Sequence, residues 1–294
     1  MEKSVILAAI RARLVAARNR PADAYVRFSV GGQTAGWIAR SRVARLARFR
    51  RVFRIDDASV RFSPALASVE DRSEAIAEVA SELATAGELS AWRNERYAVR
   101  PHFDAAPLFY LERASARWFG IRTYAVHVNG FTVAGGERRI WLARRSAAKP
   151  IDPGRFDTLV GGGITERDSV ADSLLREAWE EAGIEAALAR TATASGQVGV
   201  EHQASDGLQR ETIFVYDLGL PQAFAPANQD GEVSGHRLLD VDQAAELIAG
   251  SEGEDAATLD ACVVTFDHLI RHDTWALTDD ARAELATLCR RSPD

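Results

Sequence analysis

Apolar residues recur at helical spacing over residues 4–18, 41–49 and 73–86, where every third or fourth position is hydrophobic. Between these stretches, short alternating runs at 25–30, 34–38 and 60–62 predict strands, with Gly31-Gly32 as the turn between the first two. Residues 107–120 read as an extended piece leading into a helix. Beyond residue 120 the strand signals lengthen. Runs at 124–133 and 138–145 straddle Gly135-Gly136, with Asn129-Gly130 as a competing turn. Further strands are predicted at 192–200, 211–218 and 232–239, and helices at 241–249 and 256–271. The chain thus divides into a smaller α/β domain over 1–120 and a second domain over 121–294. The pattern at 1–20, Arg-rich and amphipathic, resembles a transit peptide but is read as the first helix of the N-terminal domain.

One more helix is predicted between the two pairs of long strands, and it carries the chemistry. Ser169 is a good N-cap, and Asp172 stands three residues on as its capping-box partner. Ala171, Leu174, Leu175, Ala178 and Ala182 form an apolar stripe, and Gly183 sits where a left-handed residue ends a helix. Glu177, Glu180 and Glu181 follow i, i+3, i+4 spacing and share a face. Carboxylates so placed repel one another unless a hard divalent cation takes their oxygens as ligands. A glycine run at 161–163 precedes them, where backbone can approach a ligand closely. A merely solvated acidic helix would require neither the glycines, nor Arg176, nor the cap.

From Gly162 to Ile184 these residues resemble the Nudix box, G-x5-E-x7-R-E-U-x-E-E-x-G-U, with U aliphatic. Gly162, Arg176, Glu177, Glu180, Glu181, Gly183 and Ile184 are in register. Asp168 stands where the pattern has glutamate, and Ala178 where it has a larger aliphatic. Chance agreement at the six fixed positions is on the order of one in a hundred thousand at average residue usage. The resemblance implies a Nudix fold, a mixed sheet sandwiched between helices, and hydrolysis of a diphosphate bond. It implies metal binding (Mg²⁺ or Mn²⁺) by Glu177, Glu180, Glu181 and the Gly161 carbonyl, with Arg176 pairing the loop acid. The general base, or a further ligand, is sought beyond the box, at Glu232 in the run 228–232 or at Glu211.

A second resemblance covers most of the chain. The runs 111–121, 124–131 and 140–146, with Lys149, Pro153-Gly154, Asp157, 217–221 and 228–232, are similar to a Nudix subgroup with an extra N-terminal domain. That subgroup includes the Nudix half of fungal thiamine pyrophosphokinase fusions and related plant plastid enzymes. It implies hydrolysis of thiamine diphosphate, or of oxidised forms such as oxo- and oxythiamine diphosphate, to the monophosphate. A heteroaromatic ring calls for an apolar slot with polar anchors. Candidates are Trp92, Phe103, Phe109, Trp118, Tyr124, His127 and Asn129, with Arg144, Arg145 and Lys149 for the phosphates.

Composition narrows the alternatives. A formal charge of −6 and a pI near 5.6 argue against nucleic acid as the main partner. No apolar run approaches a membrane span, and no signal peptide is read at the start. Cys262 and Cys289 cannot build the four-cysteine zinc site of NADH pyrophosphatases, and they fit a reducing, cytoplasmic setting. Neither stands where a diphosphate isomerase would need a catalytic cysteine. An ADP-ribose or nucleotide-sugar hydrolase stays open, as does a non-catalytic ligand sensor at greater distance. The expected partner is a small-molecule diphosphate, and a homodimer is allowed.

Overall fold

A computed structural model describes residues 1–275 and 277–290. Helix α1 (Lys3–Ala16) opens the chain, followed by the hairpin β1 (Tyr25–Val30) and β2 (Gln33–Ala39). Next come α2 (Arg40–Leu46), β3 (Phe53–Ile55), β4 (Ser59–Phe62) and α3 (Val69–Thr85). The four strands form one sheet in the order β2-β1-β4-β3, with β1 and β4 parallel. Aromatic side chains fill this unit: Phe28 packs on Phe53, Phe62, Phe109 and Phe119 at centroid distances of 5.4–6.0 Å. Helix α3 begins earlier than its apolar stripe indicates, because Ser68 and Asp71 form a reciprocal capping box.

A separate two-stranded ribbon, β5 (Arg96–Val99) with β6 (Phe109–Glu112), leads to the short helix α4 (Ala116–Phe119). Gly120 ends that helix with φ +56°, and its Cα presses on the Trp37 carbonyl so closely that a Cβ would collide. The close approach allows Trp37 N–H to donate to the Gly120 carbonyl at 3.1 Å, which stitches α4 to β2.

The second unit holds β7 (Arg122–Ala134), β8 (Glu137–Arg145), β9 (Phe156–Thr158), β10 (Val160–Gly163), α5 (Val170–Ala182) and α6 (Ala186–Ala189). It continues with β11 (Thr193–Ala204), β12 (Gly207–Gly219), β13 (Val233–Asp240), α7 (Val241–Ala249), α8 (Leu259–Arg271) and α9 (Asp279–Arg290). Its seven-stranded sheet runs β11-β12-β7-β8-β13, with β10 pairing β7 and β9 pairing β8. The β7–β12 pair is parallel and the remaining pairs are antiparallel, so the sheet is mixed. The β7–β8 turn uses Gly135-Gly136, both at positive φ, whereas Asn129-Gly130 lies inside β7.

Alternation along β7 assigns the two faces. Ala125 joins the cluster under α7 and α8, while Val126 and Val128 join the cluster under α5 and α6. Helix α1 departs from the sequence expectation. Ile6, Ile10, Leu14 and Ala17 pack among Ala244, Ile248, Phe266 and Leu285 of the second unit, away from the aromatic core of the first. Arg13 fixes the arrangement by donating to the carbonyls of Ala257 (2.8 Å) and Thr258 (2.7 Å). The reason is geometric: α7, α8 and α9 expose an apolar trough that one further amphipathic helix closes.

Candidate active site

Strand β10 and helix α5 bring the glycines and the acids together. Ser169 and Asp172 cap α5 reciprocally, and Gly183 ends it in the left-handed region at φ +64°. The apolar stripe (Leu174, Ala178, Ala182) docks under the sheet, which draws Glu177 and Glu181 inward with it. Glu181 Oε2 accepts the Gly161 N–H at 2.8 Å, joining helix to strand. The Glu177 carboxylate occupies the space that a Cβ at Gly162 would fill. At Gly161 a Cβ would lie 2.8 Å from His127 Cε1. The run is glycine because side chains from three directions converge on it.

Arg176 holds the outer acids, donating to Glu177 (2.7 Å), Glu180 (3.2 Å) and Asp168 (3.1 Å). The shorter aspartate at 168 therefore still reaches the arginine. Glu181 sits deeper, with only the Gly161 N–H on its carboxylate among the described residues. Burial, and then the neighbouring Glu177 charge, raise Glu181 well above the usual carboxylate range. Burial likewise raises Glu177, against the pull of Arg176. Two buried carboxylates with too little positive charge and hard oxygen donors suit a divalent cation, which would restore their ionised form.

The groove over these acids is shared between the two units. Arg93, Glu95 and Arg113 line it from the first unit, and Lys149, Asp230 and Glu232 from the second. Arg93 (3.0 Å) and Lys149 both donate to Glu232. Burial opposes these bonds, yet together they bring Glu232 down to about 2. So held, Glu232 is a weak proton acceptor and a good anchor for the two cations. The Tyr97 hydroxyl stands where a Cβ of Gly163 would be, and Arg96 pairs with Glu166 at 2.7 Å. The β5–β6 ribbon thus lies directly on the box loop.

Behind the groove, sharing Gly161, Gly162, Gly163 and Arg113 with it, lies a deeper cavity lined by His127, Gln209, Glu211 and Asp260. Of the candidate ring and phosphate residues, the structure brings His127, Arg145 and Lys149 to this cavity. Arg145 is engaged with Asp157 at 3.1 Å. Trp118 and Phe109 are buried in the aromatic core of the first unit. Tyr124 and Phe103 stack on each other and on Phe214. Trp92 is exposed, with its indole N–H on Asn94. Asn129 is buried and donates to Asp217 at 3.2 Å. Arg144 packs over Phe156 and pairs with Asp255, outside the cavity lining. Trp118 and Phe109 serve packing because their neighbours are apolar, which a single sequence position does not disclose.

The sequence reading passed over Arg93, Tyr97, Arg113, Gln209 and Asp260. Only the pairing of β5 with β6, and the docking of that ribbon on the box loop, reveals the first three. One further constellation, Asp217 with His268 and His272, has metal-like composition. Its bonding is that of a closed ion cluster. Arg271 donates to both Asp217 oxygens, and His268 donates from Nδ1 at 2.9 Å while its Nε2 faces Arg138 at 3.1 Å. Both ring nitrogens of His268 and both oxygens of Asp217 are thereby engaged with protein groups.

Residues 10–123 match a domain of unknown function (DUF4743), and residues 123–261 match the NUDIX domain. Nudix hydrolase 24, chloroplastic, of Arabidopsis thaliana is 37% identical over 251 residues, covering 84% of this chain and 68% of its own length. Nudix hydrolase 20, chloroplastic, from the same plant is 36% identical over 257 residues, with the same two coverages. An uncharacterized Saccharomyces cerevisiae protein, YJR142W, is 29% identical across 76% of this chain and 69% of its own. With the box's arginine, three helical glutamates and two glycines in register and relatives matched across both units, the chain belongs to the Nudix hydrolase family, as a member with an extra N-terminal domain.

Proposed function

We propose that the protein hydrolyses thiamine diphosphate, or oxidised and otherwise damaged analogues of it, to the monophosphate and inorganic phosphate. The observation that carries the reading is the joint construction of the site: Arg93 and Arg113 of the first unit face Glu177 and Glu180 of the second across one groove. Such a groove leads a diphosphate along the cations, while the cavity behind it receives whatever the diphosphate is attached to.

Glu177, Glu180 and Glu181 would hold the divalent ion, Mg²⁺ or Mn²⁺, with the Gly161 carbonyl beside them. Once bound, that ion supplies charge neutralisation on the phosphate oxygens and a lowered pKa for water. The chain's own residues do the rest. Arg176 orients Glu177 and Glu180. Lys149 and Arg93, steered by Glu232, present positive charge to the phosphates. The β5–β6 ribbon covers the box loop and limits access of bulk water.

The test is a kcat/KM series with Mg²⁺ across thiamine, oxothiamine and oxythiamine diphosphates, against ADP-ribose and NADH. A tenfold or greater preference for the thiamine series supports the reading. A preference for ADP-ribose overturns the substrate and leaves the diphosphate chemistry in place.

A further inference from the structure

The cavity behind the groove holds two carboxylates, Glu211 and Asp260, that none of its cations pairs among the described residues. Six cations line it, and each is engaged with another group. Arg117 is bound to Asp206 (3.4 Å) and Gln209 (3.1 Å), Arg145 to Asp157 (3.1 Å), and Arg113 to Glu95 (2.6 Å). Arg93 and Lys149 meet on Glu232, and Arg210 lies 3.5 Å from Glu201. Glu211 and Asp260, on the cavity wall, form no ion pair among the described residues. Gln209 Nε2 divides its two protons between them, at 3.2 Å to Glu211 and 3.1 Å to Asp260. Thr123 adds one bond to Glu211 at 2.9 Å. The Gln209 amide is held in this sense because its oxygen faces Arg117 and His202.

His127 supplies an independent observation. Its side chain is 95% buried and its ring lines the same cavity. Thr158 Oγ1 donates its only proton to the Val160 carbonyl at 2.8 Å, so it can only accept from His127 Nδ1 at 2.9 Å. The network therefore assigns the ring proton to Nδ1. Nε2 is left as a lone-pair acceptor with no partner among the described residues. A ligand that fills the cavity without a donor for this nitrogen leaves it unsatisfied, at a cost on the order of 1–3 kcal/mol.

We infer that this cavity is a recognition chamber for a heterocycle that presents hydrogen-bond donors, an exocyclic amine or ring N–H, to Glu211, Asp260 and His127 Nε2. The inference rests on the diphosphate-hydrolase reading for the position of the groove, and deepens it by stating what the leaving portion of the substrate must offer. Glu211 is thereby a specificity residue and not the general base that the sequence alone left open. Rings lacking a donor leave several acceptors unsatisfied and are rejected on that account.

The experiment measures calorimetric binding of two phosphate-free probes, thiamine and adenosine, to the full-length protein, with anisole, which has no N–H or O–H, as the donor-free control. Glu211→Gln and Asp260→Asn keep the side-chain shapes while replacing half of the acceptors by donors, and thermal melting confirms that both fold. At least one probe is expected to bind the parent protein, anisole is not, and each variant weakens the bound probe tenfold or more. Equal affinity in both variants, or binding of neither probe by the parent, overturns the chamber. The parallel assay compares kcat/KM for thiamine diphosphate with that for isopentenyl diphosphate, which carries no ring donor. The variants are expected to shrink that preference through KM. A kcat loss of the same size on both substrates instead places Glu211 in the hydrolytic machinery and overturns the assignment. If the parent hydrolyses no diphosphate while the variants still lose the probe, the hydrolytic reading falls and the chamber stands.

Discussion

The carboxylate of Glu177 rests in the hollow that Gly162 leaves by having no side chain. Strand and helix are complementary at that point, one atom deep. Replacing Gly162 with alanine should push Glu177 out of the groove with little effect on the core, since the Cβ meets a side-chain end. We expect roughly a tenfold or greater loss of kcat/KM with a melting temperature within a few degrees of the parent. A variant with normal turnover would show that Glu177 is not needed at this place.

In the proposed metal site, Glu181 is the most buried acid and is held to the glycine run by the Gly161 N–H. Glu181→Gln should reduce hydrolysis by about a hundredfold or more while the protein stays folded, and excess Mg²⁺ should not restore it. Normal metal dependence in this variant would remove Glu181 from the ligand set.

Arg176 bridges three acids with a planar fork. Arg176→Lys keeps the charge and loses the geometry. The apparent metal affinity should fall by about tenfold, recoverable at high Mg²⁺, because orientation and not charge is lost. A kinetic titration of activity against metal concentration reads this directly, and an unrecoverable loss would give the arginine a role at the substrate.

Asp217 links β12 to α8 through Arg271, His268 and His272. Burial raises its pKa, but these bonds outweigh burial and set it far below the usual carboxylate range. A depressed folded-state value contributes stability above the unfolded pKa and loses it as pH falls. The parent should therefore lose stability as pH falls below about 4, and Asp217→Asn should lose the share of that dependence that Asp217 carries. At pH 7 the variant should be less stable by about 3 kcal/mol, because Arg271 loses its pair with Asp217 and keeps only Asp267. Denaturant midpoints at pH 7, pH 4 and about pH 2.5 test both statements.

Much of the second unit was legible because its signals are local. The Gly135-Gly136 turn, α7 at 241–249 and the cap, stripe and stop of α5 each follow from a few adjacent residues. The acids of α5 and Arg176 were legible for the same reason. Strand β3, with two exposed residues of three, and β5, interrupted by polar positions, give no clear alternation. Helix α9 was missed, since Asp279, Asp280 and Arg282 dilute its stripe. The long-range features stayed hidden. Nothing local to Arg93 or Tyr97 says that their ribbon lies on the box loop, and nothing local to Asn129 says that its amide is spent on Asp217.

The position of α1 changes how truncation should be read. Deleting the whole N-terminal unit would strip Ile6, Ile10 and Leu14 from the core beneath α7 and α8, so loss of selectivity and loss of folding would coincide. Ile10→Ala alone should cost about 2–5 kcal/mol, which a denaturant melt would show, while substrate preference stays as in the parent.

That same helix makes the extra domain something other than a bead strung ahead of an enzyme. The chain begins in the Nudix body, leaves it to build the four-stranded sheet and the ribbon, and returns through Gly120 into β7. Both ends of the excursion are moored, one by α1 under the last helices and one by the stitch between Trp37 and Gly120. During synthesis α1 precedes α7, α8 and α9, so its seat does not exist until those helices follow it. They thus lock α1 in place, and the domain between is held like a handle fixed at two points.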